Sequence, residues 1–411
     1  LSRYMMEWTI AVDGVQVLCG VVPSLNVAPQ ATAQVDLGYN EADILAAAGI
    51  RNLKRHDVYL NVRYVLKRAD SLLSAGAEVA YDQMAINEAE LPVFANATGI
   101  PAYGQDGDLH TFYGEMAFAG SANLRLSSWK AVFDASTGSL VSYVLGEKEM
   151  IESPLVPCVA RAVTENDLGA KQDRRLDLWR KAEFNLASFN VEATDFCYRV
   201  NVEYAPIGEA AVVSMTYDIY ADGTIAAKEA LADAGKLAEA PMLPRFGMQM
   251  AMPGDFSTFE FFGLGPHENY IDRSSSALMG HYVQRVEDQY HYGYVRPQES
   301  GTKTSVKWMK VLDDNGTGFE IRSEVKFSAS ALPFSWEQMD VRKLGNNQAH
   351  SLELKSLAHE NDRALGKTWV NVDLVQQGLG CVNSWGAWPK NEHRIHPQPY
   401  FFHFVLKPVN N

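Results

Sequence analysis

No apolar run in the 411 residues approaches the ~18–20 that carry a helix across a bilayer. The opening residues, Leu1-Ser2-Arg3-Tyr4-Met5-Met6-Glu7-Trp8, lack the charged-then-apolar pattern of a secretory leader, and position 1 is not Met. The chain therefore reads as a piece of something longer. Cysteine is scarce: Cys19, Cys158, Cys197 and Cys381 stand apart with no C-x-x-C pair, which excludes a zinc ribbon or a redox pair of the usual spacing and leaves the compartment open. Positive charge is also short, with 36 Lys and Arg against 50 Asp and Glu, a net charge of −14 and a pI near 5.2. Such a surface repels nucleic acid and anionic membrane, so neither is expected as a partner. The run His267-Glu268-Asn269-Tyr270-Ile271 has no second His four residues on, so the zinc-hydrolase helix is missing too. No βαβ rhythm and no fixed-period repeat occurs, which excludes a (β/α) barrel and a propeller.

What is present is apolar and strand-like. Hydrophobic residues make up 47% and charged residues 21%, ample for sizeable cores and too little charge for disorder. Met5 to Val12, the turn Asp13-Gly14 and Val15 to Cys19 predict a hairpin. Alternation continues over 31–37, Val58 to Leu66 and Glu78 to Ile86, and Glu41 to Ala48 is the one helix-compatible piece. Thr98 to His110, rich in glycine and without period, reads as a linker. Beyond it the pattern predicts hairpins at 130–143 and 211–231, a strand from Arg245 to Met252, and strands at 304–312, 317–328, 351–358, 368–373 and 400–407. The expected fold is all-β, a small sandwich over 1–104 and a large antiparallel sandwich over 105–411.

Three stretches concentrate chemistry-bearing side chains. Phe259 to Phe262 is apolar and breaks at Gly263, Gly265 and Pro266 into His267-Glu268-Asn269-Tyr270-Ile271-Asp272-Arg273, a polar loop suited to line a cleft or to form a hydrogen-bonded corner. Arg161-Ala162-Val163-Thr164-Glu165-Asn166-Asp167-Leu168-Gly169 either makes side-chain turns or faces a site. Gly378 to Pro389 places Trp385 and Trp388 in a glycine-rich loop, where each indole must cover either a core or the apolar face of a sugar. Gln298 and Glu299 either line a groove or make a turn or an interface contact, and His393 and His396 read as solvated.

The string Gly263 to Arg273 resembles that of the last domain of the glycoside hydrolase family 2 β-galactosidases. Residues 161–169 are similar to the family's R-A-P-T-D-N-D-x-G, with Val163 and Glu165 as departures, and 297–301 match its P-Q-E-x-G. Residues 378–385 resemble G-I-G-G-x-x-S-W, with Cys381 where a second glycine is common. Ala80-Tyr81-Asp82-Gln83 and the strings around it resemble the immunoglobulin-like domain that precedes the last one. The resemblance implies an immunoglobulin-like fourth domain followed by a fifth-domain β-supersandwich of galactose mutarotase type. It also places residues 170–178 as a mobile loop near the active-site mouth.

For function, the resemblance implies the C-terminal, non-barrel part of a retaining β-galactosidase. A retaining glycosidase needs two carboxyl groups facing the anomeric carbon, and the family takes both from its barrel, so no catalytic residue is expected in this piece. The expected sugar contacts are Trp385, Asn166, Asp167, His267, Glu268 and Asn269. The family's magnesium and sodium ions are bound mainly by the barrel, so no cofactor or metal is expected in this piece. The partners implied are a β-galactoside, the N-terminal and barrel domains of the same chain, and further copies in a homo-oligomer. Three alternatives remain: a free-standing carbohydrate-binding module, an aldose epimerase drawing its base from Glu268 or Glu299 and its acid from His267 or His291, and a purely structural role in subunit assembly.

Overall fold

The computed structural model describes residues 1–91, 94, 99–119, 124–344, 350–354, 366–380, 382–383 and 386–410. They divide into two compact units, Leu1–Leu91 with Leu278–Tyr282, and Pro92–Ala277 with Val283–Asn411. Sheets are antiparallel in both, and the molecule is all-β apart from short helical pieces.

In the small unit, β1 (Tyr4–Val12) and β2 (Val15–Val22) form the expected hairpin, and the turn is tight because Asp13 and Gly14 both take positive φ, 50° and 83°. With β3 (Val58–Leu66) and β4 (Glu78–Asn87) they make a sheet of order β2-β1-β3-β4. Alternation on β1 turns Met6, Trp8, Ile10 and Val12 inward onto Val58, Val62 and Leu25. The helix α1 (Glu41–Ala48) seals that face through Ile44, and Asn40 and Asp43 cap it reciprocally. Residues 31–37 form no strand. Gln83, in the most recognisable string of this unit, clamps one backbone residue: its Nε2 donates to Met279 O (2.8 Å), and Met279 N donates to its Oε1 (2.7 Å).

In the large unit the strands join into one 17-stranded hydrogen-bonded system. The hairpins Leu124–Asp134 with Ser139–Leu145 and Ala211–Ile219 with Ile225–Asp233 lie where the turn residues predict them. Thr317–Leu332 bends the system round. Its first half pairs with Tyr400–Asn410 and its second with Lys367–Gln376, and the exposed Glu324, Val325 and Lys326 mark the change. Two expectations are corrected. The stretch read as a linker holds the strand Ala102–Asp106, paired with Leu109–Ala119 and packed through Tyr103 on Phe112 and Tyr198. Of the strand expected at 351–358, residues 351–354 are helical, not extended, because Leu354 packs with Tyr290, Phe334 and Met339, and 355–358 lie outside the described residues.

Candidate functional site

The strand Thr258–Gly265 buries Phe259, Phe261 and Phe262 and ends in the corner 267–273. Asn269, 0% exposed, holds that corner. Its Nδ2 donates to Leu264 O (2.8 Å) and His267 O (3.1 Å), while its Oδ1 accepts from Thr304 N (3.0 Å) and Thr304 Oγ1 (2.5 Å). Every polar atom of its amide is engaged inside the protein. Glu268 Oε1 accepts from Tyr294 Oη (2.5 Å) and Arg273 NH2 (2.5 Å), and Oε2 accepts from Ser300 Oγ (3.0 Å) and Gly301 N (2.8 Å). Burial pushes this carboxyl up, but the Tyr294 and Gly301 bonds and the Arg273 charge outweigh it and hold Glu268 below the usual range. His267 is exposed, with Nε2 2.9 Å from Ser276 Oγ.

The stretch 161–169 is a capped turn. Thr164 and Asp167 form a reciprocal cap at Glu165–Gly169, with Asp167 N donating to Thr164 Oγ1 (3.1 Å) and Thr164 N to Asp167 Oδ2 (2.9 Å). Buried Arg161 lies 3.1 Å from the same carboxylate. Burial nevertheless raises the Asp167 pKa against the pull of Arg161. Asn166 is half-buried and Glu165 exposed on the outer side of this turn. Where the family carries proline, Val163 uses its N–H, which donates to Asp340 Oδ2 (3.3 Å). Residues 170–180 are anchored by buried Gln172, Asp173, Leu176, Trp179 and Arg180, with Trp179 Nε1 donating to Pro241 O (2.8 Å).

The glycine-rich loop is seated on both stretches. Asp272 accepts from Leu379 N (3.0 Å) and Gly380 N (2.8 Å), and Arg161 NH2 donates to Gly378 O (3.4 Å). Gly386, at φ 82°, backs onto Gly169, where a Cβ would lie 2.3 Å from the carbonyl oxygen. The half-buried Trp388 ring has the guanidinium of Arg175 at 5.8 Å and that of Arg394 at 5.7 Å. Trp385 and Cys381 lie outside the described residues. The three stretches, separated by more than a hundred residues in sequence, thus meet at one corner. His267, Asn166 and part of Glu268 lie toward its outer surface, while Asp167 and Asn269 are sealed beneath it.

Some polar groups escaped sequence reasoning. Arg245, Asp373 and Glu299 form a fully buried cluster, and Glu229 is buried with neither carboxyl oxygen partnered among the described residues. The only signal was a charge inside an apolar alternating run, as in Val370-Asn371-Val372-Asp373-Leu374-Val375. Among the described residues, no group of three or more His, Cys, Asp or Glu is arranged to hold a metal ion. None of the helices described is long and apolar enough to cross a membrane.

Two family models match the chain. The family model described as "Beta-galactosidase, domain 4" matches residues 1–87, and that described as "Beta galactosidase small chain" matches 125–406. A β-galactosidase of Priestia megaterium is 29% identical over 100% of this chain, which covers 36% of that protein. One of Halalkalibacterium halodurans is 28% identical over 94% of this chain and 35% of its own length. The chain thus spans about a third of the relatives it matches. Among solved structures, a putative aldose 1-epimerase of Escherichia coli K12 aligns over 73% of this chain and 100% of its own, at 10% identity and a TM-score of 0.35. With the small-chain model matched from residue 125 to residue 406, the chain belongs to the beta galactosidase small chain family.

Proposed function

We propose that this chain is the C-terminal, non-barrel portion of a retaining β-galactosidase that cleaves terminal β-galactosides. Its part is to complete the rim of a substrate pocket whose two catalytic carboxylates stand on a missing barrel. The observation that supports this best is the convergence of the 161–169, 267–273 and 378–389 stretches on one corner through Asp272, Arg161 and Gly386. In this reading Trp385 stacks on the sugar, Asn166 and His267 give the rim its polar edge, and Glu268, whose two oxygens already accept four hydrogen bonds, holds Arg273 and Tyr294 in place behind it. Asp167 and Asn269 act one layer beneath, holding the turns that present those residues. A stacking wall with few polar partners orients substrate without doing acid–base chemistry, and on its own it binds sugar at about millimolar strength. Magnesium and sodium are assigned to the barrel of the parent enzyme.

Aldose epimerisation is the second reading, and the geometry favours it less. Its base must be a carboxylate with a free lone pair facing the sugar. Glu268 already accepts four hydrogen bonds and is held acidic, and Glu299 is buried against Arg245 and Thr302. Four measurements test the proposal. Galactose titrated into the chain should shift indole fluorescence or sugar NMR signals weakly, the chain alone should not release nitrophenol from a nitrophenyl β-galactoside, and mutarotation should run at the buffer rate. In the full-length enzyme Trp385→Ala should raise KM at least tenfold. Equal KM in that variant, or mutarotation faster than buffer, would overturn the reading.

A further inference from the structure

None of the described residues of 378–389 lies in a strand, so their course depends on what the other stretches give them. At its entry Gly378 is pressed against Asp272: a Cβ there would lie 2.6 Å from the carboxylate carbon, so glycine alone lets the carboxylate reach the next two amides. Asp272 then spends one oxygen on each, Oδ1 on Leu379 N and Oδ2 on Gly380 N. Gly378 N donates to His393 O (2.9 Å) and Gly378 O accepts from Arg161, which holds the peptide groups on both sides of Gly378. Gly380 follows at φ 82°, turning the chain sharply. Among these contacts only the Asp272 pair is charge-assisted and bidentate, and such pairs define direction as well as energy.

We propose that Asp272 is a positioning residue: it sets the conformation of Gly378–Gly380, and through it the sugar affinity of this corner, without touching sugar itself. The sugar half of the statement rests on the rim reading above; the positioning half does not. Removing the carboxylate frees two amides and lets the glycine-flanked entry sample other directions, so ordering of the loop is deferred to the moment of binding and weakens it.

The test uses the full chain, with Asp272→Ala and the milder Asp272→Asn, which keeps one acceptor oxygen. Amide hydrogen exchange at Leu379 and Gly380 should quicken at least tenfold in Asp272→Ala and less in Asp272→Asn, with Asn269 and Thr304 amides unchanged. The galactose dissociation constant should rise about five- to tenfold in the same order. Unchanged exchange at 379 and 380 in both variants overturns the proposal, and so does faster exchange with unaltered affinity. If Asp272→Ala does not fold, the Asp272→Asn exchange decides. If the wild-type chain binds no galactose, the rim reading fails by itself, and the exchange data still decide whether Asp272 positions the loop.

Discussion

Arg245 and Asp373 face each other inside the large unit, Nε 3.2 Å from Oδ2, with both side chains 1% exposed. Glu299 shares the guanidinium at 3.7 Å. Gly247 makes room for them, since a Cβ there would lie 2.5 Å from Asp373 Oδ1. One cation thus serves two carboxylates in a dry interior. Removing it by Arg245→Met should cost about 3–5 kcal/mol, because both charges would be left buried and unpaired. Urea unfolding at pH 7 measures this.

Asp373 carries a pH signature. Burial raises its pKa to about 7, with Arg245 opposing and Glu299 assisting. A folded pKa above the unfolded value means that the folded state binds the extra proton. Stability from this group is therefore present below the unfolded pKa near 4 and is lost as pH rises through about 7. Carboxylates held low, such as Glu268 and Asp218, slope the other way, so the informative quantity is a difference. Relative to wild type, Asp373→Asn should gain about 2–3 kcal/mol between pH 4.5 and pH 8. Parallel pH profiles of the two proteins would show that the carboxyl is ionised throughout.

Glu229 lies on Ile225–Asp233 opposite Met215 and Phe402, 0% exposed, and neither carboxyl oxygen has a partner among the described residues. Burial, with Asp373 adding to it, holds its pKa well above the carboxylate range. A neutral, unpaired acid in an apolar layer costs stability. Glu229→Leu should therefore stabilise the unit by about 1–3 kcal/mol at pH 7, read from the urea midpoint at constant slope. A lower midpoint would mean that the carboxyl contributes to the packing around it.

Lys303 is the cationic counterpart. Its Nζ donates to Gln289 Oε1 (2.8 Å) and Gly301 O (3.2 Å), and burial lowers its pKa to about 8 although Glu268 pulls the other way. Here the folded pKa lies below the unfolded one, so the unfolded chain binds the extra proton between them. Stability should rise with pH from about 8 toward 10.4. Against Lys303→Met, wild type should gain about 1–2 kcal/mol between pH 7.5 and 9.5. Equal gains in both would locate the effect elsewhere.

Local signals were legible where the physics is local. Asp13-Gly14 turns the chain where expected, the hairpin expected at 211–231 forms with its turn at Asp222-Gly223, and Val58–Leu66 is a strand over its full predicted length. Period-two alternation failed at 351–354 because one buried leucine satisfies a helical turn as readily as a strand. The hairpin at 102–119 was hidden because Gly104 and Gly107 break the pattern while Tyr103 packs on Tyr198 from a strand nearly a hundred residues away. The candidate corner was legible as three strings but not as one place. The bonds from Asp272 to two backbone amides, and the contact of Gly386 with Gly169, leave no periodic trace in sequence.

Val163 gives a test of how the corner departs from its family. The family's proline has no N–H, whereas Val163 N bonds the carboxylate of Asp340, which also binds Arg180 NH2 at 2.8 Å. Restoring the proline should thus destabilise rather than rigidify. Val163→Pro is expected to lower stability by about 1–3 kcal/mol in urea unfolding. A more stable variant would show that preset φ outweighs the lost bond.

Trp388 separates a packed indole from one that meets sugar. Its ring is half-buried and in contact with two guanidiniums, and Arg394 Nε also donates to Pro389 O (2.6 Å), so the indole ties the helical turn Gln172–Arg175 to the chain after the glycine-rich loop. With both cations near the ring, a sugar would have to displace one of them, at about 0.5–1 kcal/mol each. Trp388→Ala should therefore cost about 1–2 kcal/mol of stability and leave galactose affinity within twofold, whereas Trp385→Ala should do the reverse. A double-mutant cycle of Trp388→Ala with Arg175→Ala should show about 0.5–1 kcal/mol of coupling. Zero coupling together with a large loss of affinity in Trp388→Ala would exchange the roles of the two indoles.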